Sequence, residues 1–185
     1  MLNDDIPDYI REMRTDTGLS LVDMYQQARE VINSTLTPEQ YAGALSVTRE
    51  RAQRDYQAGK LDLLTASKVF LTVLQLSKAV EDYESEITTL CNLGLMFQNA
   101  KAYDIAITFA AEAIKIAYQH NLLEQKLTAL NVLSLVYTNT NQTEKRIEVM
   151  EEVADIYGKL GQMDKKAEIE GLIKQTKEFK ALFEK

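Results

Sequence analysis

The amino-acid sequence predicts an all-α protein built as a stack of antiparallel helix pairs. Apolar residues recur three and four positions apart over most of the chain, which is the spacing of one face of an α-helix. Similar residues return after 40 positions, so that residues 90–97 match residues 130–137. A period of this length is typical of helical repeat proteins. Only two prolines and seven glycines are present, fewer than the turns of a β-rich fold require.

The composition limits the class of protein. A chain of 185 residues, 45% hydrophobic and 26% charged, is long enough for one domain with a sizeable core. The formal net charge is −7 and no basic stripe is present, so we expect binding neither to nucleic acid nor to a membrane surface. No apolar run reaches about 18 residues, so no transmembrane helix is expected. The single cysteine and the acidic N-terminus, which lacks the apolar core of a signal peptide, predict a cytoplasmic protein.

Residues 1–40 are predicted to form an N-terminal helical cap. Residues 21–32 place apolar side chains on one face of an amphipathic helix. Thr37 and Pro38 then mark the start of the next helix, because threonine caps free N–H groups and proline suits the first helical position. Gln40 completes a capping box with Thr37. The stack is therefore expected to begin near residue 41.

Three helix pairs are predicted to follow, at residues 41–80, 84–121 and 124–161. Within each pair a short link joins the two helices, at residues 58–60, at residues 99–102 and at residues 138–142. Links this short make consecutive helices antiparallel. Small residues, such as Gly94 on a first helix and Ala106 on a second, mark positions where two helices approach closely. One pair alone leaves an apolar face uncovered, so the pairs are expected to stack.

The last segment, residues 162–185, is predicted to form a C-terminal capping helix. Ile169, Leu172 and Phe179 belong to an apolar face, with lysines and glutamates opposite. A helix of this pattern covers the end of a stack. The alternative is that it folds into a groove or pairs with another chain.

A family resemblance is carried by small and apolar residues of the second pair. They resemble the tetratricopeptide repeat at Leu90, Leu93, Gly94, Phe97, Tyr103, Ala106 and Ala113. The period of 40 residues, against about 34 in the standard repeat, resembles the long-helix variants of kinesin light chain and of bacterial Rap-type regulators. The resemblance covers residues 41–161 and implies a right-handed superhelix. Two arginines depart from the pattern: Arg146 occupies the position of the small alanine, and Arg54 that of the glycine.

In proteins of this family the leading helix of each pair lines a concave surface. The resemblance and the helical spacing together predict a groove for a peptide or helix of another protein. Its residues are Arg51, Asp55, Thr88, Cys91, Asn92, Leu95, Gln98, Asn99, Thr128, Asn131, Leu135, Thr138 and Asn139. Asn92 and Asn131 are the predicted polar anchors, because an amide can donate to and accept from a bound backbone at once. Leu95 and Leu135 are expected to add apolar contact.

Nothing in the sequence indicates catalysis. His120 is the only histidine and is predicted at a helix C-terminus, and Cys91 has no base near it in sequence that would activate its thiol. No glycine-rich phosphate loop and no pair of metal-binding cysteines is present, because the glycines are isolated and the cysteine is single. We therefore predict a protein that is not an enzyme and needs neither cofactor nor metal.

Two other interpretations stay open at this point. The chain can instead be a self-assembling homo-oligomer that uses its terminal helices. It also resembles the class II chaperones of type III secretion in length, in acidity and at residues 56–60, although that family uses a shorter repeat. Each of these interpretations keeps the helical stack and changes only the partner.

Overall fold

The computed structural model describes residues 49–183, which form seven helices and no strand. They are α1, described over residues 49–57, α2 (Leu63–Ala79), α3 (Tyr83–Asn99), α4 (Tyr103–Gln119), α5 (Leu123–Asn139), α6 (Thr143–Lys159) and α7 (Met163–Phe183). Each of these helices from α2 onward packs on the next, so the prediction of an all-helical consecutive stack is confirmed for this part of the chain. The predicted N-terminal cap, residues 1–40, lies outside the described residues.

The links between helices repeat with a period of 20 residues. Each of the last five has one residue in the left-handed region: Glu81, Lys101, Asn121, Asn141 and Gly161, with φ between 54° and 72°. At the first of them, the Glu81 N–H donates to the Lys78 carbonyl at 3.3 Å and the Asp82 N–H donates to the Ser77 carbonyl at 2.9 Å. This pair of bonds closes the end of α2 and recurs at the other four links. The same turn therefore reverses the chain after every helix.

One continuous core joins α1 to α6. Its largest fully buried side chains include Phe70, Leu90, Phe109 and Leu130, contributed by α2, α3, α4 and α5 in turn. Besides packing on its neighbours in sequence, α3 also packs on α5. A Cβ atom at Gly94 would lie 3.0 Å from the Val132 Cγ1 and 3.4 Å from the Ala106 carbonyl oxygen. The close helix approach predicted at Gly94 is therefore present, and it joins α3 to both α4 and α5.

The end of the stack is built differently. α7 packs on α6, where Ile173 joins Ile147 and Met150 in a small separate apolar cluster. Lys177 pairs with Glu151 at 2.8 Å along the same interface. Within residues 49–183, no Cα atom of α7 lies within 8 Å of a Cα atom of α5, whereas α5 packs closely on α3. The last helix thus covers one neighbour and leaves the other open.

A search of the described helices for a membrane span found no segment that combines the necessary length and apolar character.

Candidate functional site

The predicted groove residues on α3 include two that are buried. Cys91 is 1% exposed, and burial raises the pKa of its thiol to about 12. Asn92 is 9% exposed, and its Nδ2 donates to the Gln53 Oε1 at 3.4 Å. The expectation that both are accessible is wrong. For Asn92 the physical reason is α1, which is tied to α3 a second time where the Arg49 guanidinium donates to the Ser85 hydroxyl at 3.0 Å. Cys91, the repeat equivalent of Asn131, belongs to the core on a helix that α5 covers.

The other predicted residues on α1 and α3 do not form a continuous exposed surface. Arg51 is exposed and pairs with Asp55 at 3.7 Å, one turn further along α1. Thr88, Leu95 and Gln98 are half-buried, and Asn99 is exposed at the end of α3. The Thr88 hydroxyl already donates to the Glu84 carbonyl of its own helix at 2.8 Å. Little free hydrogen-bonding capacity therefore remains in the middle of α3.

The predicted residues on α5 form one exposed face. This α5 face consists of Thr128, Asn131, Leu135, Thr138 and Asn139, all exposed, within an arc of about 100° around the helix. Leu135 is 47% exposed, although it is a large apolar side chain in the middle of a packed helix. The face is accessible because α7 does not cover α5 as α5 covers α3. The sequence-based expectation of exposure is therefore correct for α5.

A cleft opens where α7 departs from α5. This α7 cleft has a volume of about 420 Å³ and is lined by Tyr137, Thr138, Asn141, Thr143, Arg146, Thr176, Phe179 and Lys180. Thr138 belongs to both the cleft and the α5 face, so the two surfaces are continuous. Sequence reasoning did not find the cleft. The available signal was Arg146, which stands where the two preceding repeats have alanine.

Differences between residues at equivalent positions of the 40-residue repeat explain why the cleft exists. Gly94 on α3 corresponds to Ser134 on α5, 40 residues later, and Ala106 on α4 corresponds in the same way to Arg146 on α6. Both changes enlarge the side chain at a point of close helix approach. The third member of that contact, Val132, is 1% exposed, whereas its equivalent Leu172 on α7 is 41% exposed. The contact that seals α3 to α5 is thus not repeated between α5 and α7.

The charges that line the α7 cleft are all positive. Among the described residues that line it, only Arg146 and Lys180 are charged. The Nε of Arg146 is shielded from solvent and has no hydrogen-bond partner among the described residues. Lys180 pairs with Glu144, and the hydrogen bond between them lowers the pKa of the Glu144 carboxyl. Arg146 therefore lines the cleft as a cation whose side chain no described acid neutralises.

A group of titratable side chains lies elsewhere, between α2, α3 and α4. Glu86 is 7% exposed and pairs with Lys78 at 3.5 Å, and burial raises the pKa of its carboxyl. His120 ends α4, as predicted, and its ring stacks on that of Tyr83 with 3.5 Å between centroids. Within residues 49–183 no three histidine, cysteine or acidic residues are grouped to hold a metal ion. These groups join helices of the core, and none of them lines the α7 cleft.

Comparison of the chain with protein-family models, with curated proteins and with solved structures gave no match.

Proposed function

We propose that this chain is a protein-interaction module that binds a peptide or a helix of another protein along the α5 face. The proposal includes a tetratricopeptide-like, right-handed superhelical arrangement, in which the leading helices line the concave side. It also includes a cytoplasmic, non-catalytic role, for which the support is the single buried thiol of Cys91. A module of this kind needs an accessible surface on a rigid support.

The observation that carries the proposal is the exposure of the α5 face. On another side of the same helix, Ala129 and Val136 are completely buried, so α5 is held firmly in the stack. Leu135 nevertheless remains 47% exposed, between the amides of Asn131 and Asn139. An apolar side chain flanked by amides suits a partner segment, because the leucine gives apolar contact and the amides bond its backbone.

Affinity enrichment from cells that produce the protein tests the proposal. We expect the double variant Asn131→Ala/Leu135→Ala to recover at least about tenfold less of a specific partner than the unaltered chain, a loss of roughly 1.4 kcal/mol. Its melting temperature should stay unchanged, because both residues are exposed. Tyr118→Ala, which removes an exposed aromatic from α4, is the matched control and should recover the partner fully. Equal recovery by the double variant would reject the α5 face.

A second candidate function is self-assembly through α7. Phe179 and Leu182 are exposed on this last helix, and the cluster of Ile173 with α6 covers only one of its sides. Exposed apolar residues on a terminal helix favour pairing with a second copy. Light scattering during gel filtration distinguishes this candidate: a dimer that Phe179→Ser/Leu182→Ser converts to a monomer would support it, and a monomer at all concentrations would exclude it.

A further inference from the structure

We propose that the α7 cleft receives an acidic side chain of the bound partner segment, and that an apolar side chain next to it packs on Phe179. This inference rests on the proposed function, and it names the chemistry of the partner. The cleft continues the α5 face through Thr138. A segment that lies along α5 therefore reaches the cleft at its end.

The preference for an acid follows from the charges. The chain carries a net charge of −7, yet the charged walls of the cleft are the cations Arg146 and Lys180. Glu144 neutralises Lys180, whereas the Arg146 Nε has no hydrogen-bond partner among the described residues. Because no described acid pairs with the Arg146 guanidinium, a carboxylate in the cleft can neutralise it by accepting from its terminal nitrogens. The planar guanidinium also matches the two oxygens of a carboxylate.

The hydroxyl groups of the cleft strengthen this assignment. The Thr138 hydroxyl donates to the Ser134 carbonyl at 2.7 Å, and the Thr176 hydroxyl donates to the Leu172 carbonyl at 2.8 Å. Their protons are therefore committed to their own helices. The strongest donor left for a ligand is Arg146, which selects for an anionic group over a neutral one.

The apolar part of the site is Phe179, which lines the cleft and is 64% exposed. It lies one residue before Lys180 and one helical turn after Thr176 on α7, so an apolar residue of the partner packs beside the acid. Tyr137, from the opposite wall, is covered on one face by the Lys145 ammonium, 5.6 Å from the ring centroid. The cleft thus combines two cationic side chains, Arg146 and Lys180, with two aromatic ones, Tyr137 and Phe179.

The test is selection of a display library of short random peptides on the full-length protein. We expect the selected peptides to be enriched in aspartate or glutamate next to an aliphatic or aromatic residue. Arg146→Gln should weaken the selected peptides by about tenfold or more, and Phe179→Ala by a similar factor. Arg54→Gln, which removes an exposed arginine of α1, is the control and should leave binding unchanged. Thermal melting checks that each variant folds, and Arg146→Lys, which keeps the charge, should retain part of the affinity.

The outcomes separate this inference from the proposed function. Peptides that lose affinity with Leu135→Ala but not with Arg146→Gln would overturn the cleft and keep the α5 face. Selected peptides without acidic residues would overturn the cleft as well. A library that yields no peptide at all would count against both. A synthetic peptide of the chain's own acidic residues 1–12 that displaces the selected peptides would assign the cleft to this chain, and would overturn the assignment to a partner.

Discussion

Gly94 sets the distance between α3 and its neighbours, so we expect Gly94→Leu to destabilise the fold by about 1–3 kcal/mol. Its missing side chain would meet Val132 at 3.0 Å and the backbone of Ala106 at 3.4 Å. Gly171, on the exposed side of α7, is the control because a Cβ there meets nothing within 4 Å. Gly171→Ala should gain roughly 0.5–1 kcal/mol from helix propensity. Urea denaturation measures both, and equal effects would mean that α3 and α5 are not in close contact.

The buried carboxylate of Glu86 gives the fold a specific pH dependence. Burial raises its pKa in the folded protein above the ordinary value, more than the Lys78 ammonium lowers it. The folded state therefore takes up a proton at a higher pH than the unfolded state does. Stability contributed by this group rises as the pH falls through the raised pKa, and levels off below the ordinary value.

We accordingly expect Glu86→Gln to be more stable than the unaltered protein at pH 7, because it buries no charge. The difference between the two melting temperatures should shrink as the pH is lowered towards the ordinary pKa of a glutamate. Thermal melts of both proteins across this range provide the measurement. A variant that is less stable at pH 7 would show that the ion pair with Lys78 outweighs the cost of burial.

Single residues also show where sequence reasoning succeeded and where it stopped. Gly94 and Ala106 were identified because small residues at repeat-equivalent positions have one plain mechanical reason. The burial of Asn92 could not be read from α3 alone, since it depends on α1 and on the side chain of Gln53. That of Cys91 depends on the helices packed around α3. Helical spacing gives the direction of a side chain, and the packing of other helices decides whether that direction is open.

The links between helices contain residues in strained backbone conformations that glycine would adopt more readily. Lys101 occupies the left-handed region at φ 62°, where a side chain is strained and glycine is not. We expect Lys101→Gly to stabilise the protein by up to about 1 kcal/mol. Asn121, at φ 55° in the next link, is the matched case, and Asn121→Gly should gain less because asparagine tolerates this conformation. If chemical denaturation gave the reverse order, side-chain contacts and not backbone strain would govern these links.

The helices themselves were predictable because their apolar period continues from one to the next. The shared turn between the helices was harder to predict from the sequence. Among the last five links, glycine occupies the left-handed position only at Gly161, and the other four have a charged or amide residue there. Backbone hydrogen bonds, which do not depend on the side chain, fix the turn at each of them. A pattern search for glycine therefore misses a turn that the backbone repeats every 20 residues.

For the molecule as a whole, the order of the stack was foreseeable and its open end was not. The α5 face was predicted from the repeat, and its exposure follows from the position of α7, whose backbone lies close to that of α6 and, among the described helices, away from that of α5. Arg146 was visible in the sequence as a departure from the pattern, but its consequence needed the three-dimensional position of Leu172. The cleft lies between α5 and α7, whose backbones stay apart. A repeat pattern indicates which residues pack together, and it does not indicate where two helices separate.

Site-specific photocrosslinking shows directly whether the α5 face contacts a partner protein. Benzoylphenylalanine is placed at Leu135, on the α5 face, and in a separate variant at Tyr118, an exposed position on α4. After irradiation of cells that produce each variant, we predict a covalent adduct with another protein from position 135 and none from position 118. The absence of an adduct at 135, or an adduct at 135 formed only with a second copy of the chain, would contradict the claim.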